Sequence, residues 1–191
     1  MRGLLVLLVV PLLGCASPLR VLPPTPHENQ IVVRARLEVT RHVAYDANYR
    51  NIPYPNGDVR PTRGACADVV VRAYRAAGVD LQKLIFEDRK ANPGAYGGGT
   101  PDPCIDHRRC QNQIVYFRRH AESLTTDPSR IAAWRPGDVV YWRLYSGRLH
   151  TGIVSDRTGM GSRPLVIHNI GPEASEGDVL AMWEVVAHFR L

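Results

Sequence analysis

Cys66 opens the stretch "CADVVVRAYR" and stands where a helix ought to begin. A thiol at a helix N-terminus has its thiolate favoured by the positive end of the helix dipole and by the unpaired N–H groups there. The same N–H groups can donate to an oxyanion, so one turn offers a nucleophile and a charge stabiliser together. Such a thiol needs a base, and the base needs something to orient it. Two histidines in the last third are candidates: His150, heading "HTGIVSD", and His168, late in "PLVIHN". Neighbouring antiparallel strands can set two such side chains side by side. Asn169 is the alternative third member, although alternation along a strand aims it at the opposite face. Singly, Cys66 reads as an inert core thiol and each histidine as an ordinary strand residue. The ordered set points to acyl-transfer chemistry.

The other cysteines have separate readings. Cys104 and Cys110 stand six apart in "PCIDHRRCQ", a turn-rich stretch, and are expected to pair as a disulfide in an exported chain. A metal site using His107 with those thiols ranks lower, because the spacing lacks C-x-x-C and a fourth ligand. Cys15 ends "MRGLLVLLVVPLLGC". That apolar run is too short to span a bilayer, which needs about 20 residues, and suits an export signal. Its ending resembles a bacterial lipobox, which implies that residues 1–14 are removed and Cys15 is lipidated. The expected location is the cell envelope, on the periplasmic face of the outer membrane if the cell is Gram-negative.

The elements that must position these groups follow from pattern. Residues 15–29 are proline-rich and read as a tether, leaving 30–191 as one domain with a real core. Residues 30–44, 65–77, 81–91 and 112–123 read as helices. Four β-branched and aromatic runs, "GDVVYWRL", "LHTGIVSD", "PLVIHNIG" and "MWEVVAHFRL", read as an antiparallel sheet. The fold class is therefore α+β. Trp134, Trp142, Trp183 and His188 are assigned to packing, and His27, His42 and His120 to the surface.

Those residues resemble the NlpC-type, papain-like cysteine hydrolases of bacterial cell walls, with N-terminal helices packed on a C-terminal antiparallel sheet. The resemblance implies that Cys66 is the nucleophile, His150 its base and His168 the orienting residue. It also implies a tyrosine about twelve residues before the nucleophile, beside the oxyanion, which selects Tyr54. Across nearly all the mature chain, "GDVRPTRGACADVVVRAYRAAGVDLQKL", "IDHRR", "WRPGDVVYW" and "VIHNIG" look like the uncharacterised bacterial family called domain of unknown function 1287. The hydrolases usually read Asp-Cys-Ser-Gly at the nucleophile; here the chain reads Ala65-Cys66-Ala67-Asp68. Asp68 either binds a substrate amine or serves the helix dipole. His107, Arg108 and Arg109 form either a rim facing an anionic substrate or a buried salt-bridge knot that fixes the loop.

Composition limits the classes. Apolar residues make 45% and charged residues 22% of the 191, a globular balance. The formal net charge is +6, and nearly all of it is arginine, since Lys83 and Lys90 are the only lysines. No basic run is interleaved with aromatics, so nucleic acid is not an expected partner. The expectation is a lipid-anchored thiol hydrolase that cuts an amide in cell-wall peptide, without metal or organic cofactor. The alternatives are an acyltransferase, an inactive envelope-binding module of the same fold, and a structural lipoprotein.

Overall fold

The structure, a computed structural model, describes residues 26–191. The signal segment, Cys15 and all but the last four tether residues lie outside the described residues. Among the described residues, four α-helices and a six-stranded antiparallel sheet make an α+β fold. Among the described residues no helix is long and apolar enough to cross a membrane.

Helix α1 (Pro26–Thr40) begins with proline, whose missing N–H is no loss at a first helical position. It stops four residues short of the predicted end. His42 takes a left-handed backbone (φ 50°), and the N–H groups of His42 and Val43 fold back to Val39 O and Glu38 O. This is the helix-ending pattern usually supplied by glycine, so histidine hid it from sequence reading. The chain then forms β1 (Ala44–Tyr45), which pairs in parallel with β2 (Arg63–Gly64).

Helix α2 (Cys66–Ala76) carries the nucleophile candidate as its first residue. Three consecutive β-branched valines cost a few tenths of a kcal/mol each in a helix. All three are buried, and burial of a valine returns roughly 1.5 kcal/mol or more, so packing outweighs propensity. Gly78, at φ 84°, closes the helix with the conformation only glycine adopts cheaply. Helix α3 (Leu81–Ala91) keeps its predicted bounds, and Asp80 caps it by accepting from Gln82 N. Helix α4 (Cys110–His120) starts two residues before the expectation and stops three before it, because Glu122–Ser123 (β3) leave to pair with the last strand.

The remaining strands are β4 (Val139–Arg143), β5 (Leu149–Thr158), β6 (Pro164–Asn169), β7 (Ala174–Gly177) and β8 (Glu184–Arg190), in the order β3-β8-β4-β5-β6-β7. Strand β7, "ASEG", has no β-branched residue and escaped the sequence reading. Alternation splits the core. Val139, Tyr141, Ile153 and Ile167 face the helices, whereas Val140, Trp142, Val154 and Val166 pack with Trp134 and Leu180 on the other face. His188 is buried, stacked on Trp134 at 3.8 Å and bonded to Asp138 Oδ2 at 2.8 Å.

Candidate active site

Alanine is a poor N-cap, and Ala65 caps α2 without a side-chain hydrogen bond. Asp68 compensates: its Oδ2 accepts from Ala65 N at 2.6 Å. The same carboxylate is held by Arg108, at 2.7 Å from Nε and 3.0 Å from Nη2. Asp68 is therefore committed to the cap and to Arg108 rather than to a substrate amine. Arg108 in turn donates to Asn48 O and Asp46 O, so one buried pair ties the turn that carries Cys66 to the loop beside it. Gln113, which sequence reading passed over, braces the same turn. Its amide donates to Ala67 O and His107 O while its Oε1 accepts from Tyr141.

The two histidines meet as alternation and register allow. Gly152 lies directly opposite His168, and His150, two residues back, occupies the diagonal position on the same face. His150 Nε2 sits 3.0 Å from His168 Nδ1, and His168 Nε2 lies 3.4 Å from Ser175 Oγ on β7. Trp142 stacks on His150 at 5.6 Å, and Trp183 packs edge-on against both rings. Burial, and then the neighbouring His150, bring His168 down to about 4, so it is neutral near pH 7 and free to accept.

The Cys66 thiol is held well below its ordinary range. The Cys110 thiol, 3.8 Å away sulfur to sulfur, is the largest influence. Burial opposes it, and a hydrogen bond and charge from His150 and the N–H of Thr151 add to it. Cys110 moves the opposite way, pushed well up by its bond to Cys66 and by burial. It is the protonated donor of the pair. Nε2 of His150 is engaged by His168, so Nδ1 is the ring nitrogen that this contact leaves free.

Gly152 makes this arrangement possible. A Cβ there would meet Val166 Cγ1 at 2.7 Å, Ile167 O at 2.8 Å and His168 Cβ at 3.1 Å. Two of these atoms are backbone or Cβ and cannot swing aside. Gly152→Ala is expected to cost about 1–3 kcal/mol and to displace His168; urea titration measures the first, and the alkylation rate of Cys66 at mildly acidic pH follows the second. An unchanged midpoint and rate would show that the sheet absorbs the methyl group.

Other predicted residues lie elsewhere. Tyr54 is not beside Cys66: its ring packs edge-on Phe86 at 5.1 Å and its hydroxyl reaches Glu87 Oε1 at 3.4 Å. Tyr45 and Tyr96 both line the cleft, and it is Tyr45 that feels the charge of Cys66, because β1–β2 pairing sets Tyr45 against Gly64. Burial, then the charges of Cys66 and Cys110, raise its hydroxyl pKa. Asn169, the alternative to His168, is held by main-chain carbonyls beside β1 and in β2 rather than by His150. Its Nδ2 donates to Val43 O and Gly64 O, both at 3.0 Å, clamping β1 to β2. Cys104 and Cys110 are free thiols rather than a disulfide: Cys104 points to Asn51 Oδ1 and Ile52 O, and α4 carries Cys110 to Cys66. His107 and Arg108 are buried rather than on a rim; Arg109 alone of the three is exposed. Asp106 closes the knot by binding Arg89 and Asp102 N.

A cleft of about 640 Å³ opens over Cys66, walled by Tyr45, Arg109, Cys110 and the β4–β5 hairpin. Among the described residues no group of three or more His, Cys, Asp or Glu could hold a metal ion. The site thus offers a low-pKa sulfur at a helix end, a histidine beside it, and a neutral histidine behind.

A family model described as "Domain of unknown function (DUF1287)" matches residues 32–191. The chain is 44% identical over 160 residues to "Uncharacterized protein YijF" of Escherichia coli (strain K12), covering 82% of this chain and 78% of that protein. No solved structure matches.

Proposed function

We propose, for a chain that belongs to the DUF1287 family, that it is a thiol hydrolase of the NlpC-like, papain-like kind, acting on an amide through Cys66, His150 and His168. The observation that carries this reading is the His150 Nε2–His168 Nδ1 contact of 3.0 Å, with the same His150 among the groups that hold down the thiol of Cys66 at the start of α2.

The proton inventory is consistent along the line. Cys66 gives its proton to His150 Nδ1. Nε2–H of His150 donates to His168 Nδ1, and Nε2–H of His168 turns to Ser175 Oγ. A neutral His168 can accept from the imidazolium; a protonated one would repel it. The thiolate attacks the carbonyl carbon. The Cys66 N–H, which has no intrahelical acceptor at the first helical position, faces the oxyanion. His150 then protonates the leaving amine, a thioester remains on Cys66, and His150 deprotonates the water that releases the acid. An amine in place of that water makes the same site an acyltransferase. Cell-wall peptide as substrate, and an envelope location through lipid on Cys15, follow from the motif resemblance and the N-terminal segment.

An activated ester tests the chemistry whatever amide the protein cuts. With p-nitrophenyl acetate the protein is expected to give a nitrophenolate burst equal to the enzyme present, with the acyl group on Cys66, followed by slow turnover. Cys66→Ser should lack the burst, and His150→Ala should form the acyl-enzyme slowly and fail to clear it. Acylation of other residues alone would leave an envelope-binding module as the reading.

A further inference from the structure

The cleft over Cys66 is lined by five arginines, Arg89, Arg108, Arg109, Arg143 and Arg148, and by no aspartate or glutamate. Two of the five are spent on structure. Arg89 binds Asp106 and Gly98 O, and Arg108 binds Asp68. Arg143 meets Glu184 at 3.4 Å with both side chains more than half exposed, a pairing that solvent largely screens. Arg109 and Arg148 are exposed, and among the described residues neither guanidinium group has a hydrogen-bond or ion-pair partner.

These cations stand on both walls. Arg109 is the residue before α4 and adjoins Cys110. Arg143 and Arg148 bracket the β4–β5 turn, two residues before His150, closed by Leu144 N to Arg148 O at 2.9 Å. The Arg148 charge is near enough to act on Tyr45 across the cleft. The N-terminal ends of α2 and α4 both open there, through Cys66 and through Cys110, Gln111 and Asn112, and each adds positive potential. Guanidinium groups suit carboxylates, which they bind through paired donors.

We infer that the cleft binds an acidic acyl substrate, a peptide amide carrying a free carboxylate close to the bond presented to Cys66, with Arg109 and Arg148 as the specificity-determining residues and Arg143 supporting them. This rests on the reading of Cys66 as the nucleophile and adds the charge of what it attacks. It also separates the members of "IDHRR": Asp106, His107 and Arg108 build the wall, and Arg109 faces the ligand.

The test compares two alkylating agents of similar size, the anionic iodoacetate and the neutral iodoacetamide, on Cys66 of the purified protein, followed by peptide mass spectrometry. Relative to an unstructured cysteine peptide, the iodoacetate-to-iodoacetamide rate ratio is expected to rise about five- to tenfold at low salt. At 1 M salt, where the screening length is about 3 Å, it should fall back. The Arg109→Gln/Arg148→Gln variant should lose the rise. A Glu-containing peptide amide should protect Cys66 from iodoacetamide better than its Gln counterpart, and the variant should remove that difference. A ratio equal to that of the free peptide, or one the variant leaves unchanged, overturns the inference. Slow iodoacetamide reaction at acidic pH is a different failure: it removes the nucleophile, while the ratio still reports the charge of the cleft.

Discussion

Iodoacetamide is expected to modify Cys66 rapidly at about pH 5.5, and His150→Ala to slow that reaction at least a hundredfold. A free thiol, with a pKa near 8.5, is only about one part in a thousand thiolate at that pH. In the folded protein Cys110, His150 and the Thr151 N–H together hold the Cys66 thiol well down against burial. Removing the imidazole takes away both its hydrogen bond and its charge. Burial, which raises the pKa, then works against Cys110, the Thr151 N–H and the helix end. Cys104 and Cys110 are also free thiols, so the rate must be followed on the Cys66 peptide. Cys110 itself should stay unreactive, since its pKa is pushed well up. Rates that rise only near pH 8.5 in both proteins would sink the proposed activation of Cys66.

How much of this was legible in the sequence depends on whether the signal was local. The helix over 66–76 and the strands carrying His150 and His168 follow from apolar period and turn residues, so Cys66, His150 and His168 could be named. Which tyrosine stands beside the cysteine could not. Tyr54 has the better spacing, but Tyr45 is brought in by a parallel pairing with Gly64 and by the Asn169 clamp, both non-local. The misassigned disulfide has the same origin. Cys104 and Cys110 are near in sequence, yet a helix starts at Cys110 and directs its sulfur to Cys66, while Cys104 packs with Ile52 and Val59. Ser175 was invisible because "ASEG" becomes a strand only through its partner β6. Arg148 carried no motif; only its place on the hairpin beside His150 gives it meaning.

Acid is expected to unfold this protein through histidine before carboxylate protonation is complete. His107 and His168 are 2% and 3% exposed, and both are held at about 4, against about 6.5 in an unfolded chain. For His107 burial is the main cause, with Arg108 and Arg75 adding to it against Asp68; its Nδ1 has no hydrogen-bond partner among the described residues. Between those two pH values the unfolded chain holds protons that the folded chain lacks, so stability falls as the pH is lowered from about 6.5 to about 4. Below about 4 these two groups add no further slope. Each shift is worth roughly 3 kcal/mol across the window, so the pair removes roughly 6, comparable with the 5–15 kcal/mol that holds a domain together. Asp88, Asp156 and Glu176, whose pKa values are lowered by their hydrogen-bond and ion-pair partners against burial, lose stability in the same direction at lower pH. Cys66 does so over a higher range. Urea titrations at pH 7, 6, 5 and 4.5 should show this fall, steepest near pH 5, and His107→Gln should lose up to about 1.4 kcal/mol per pH unit of that slope, whatever it does to the stability at pH 7. Equal slopes in the two proteins would mean that folded His107 takes up its proton as readily as the unfolded chain does. A wild-type profile flat down to pH 4.5 would say the same of His168, and would remove the neutral acceptor on which the Cys66–His150–His168 line depends.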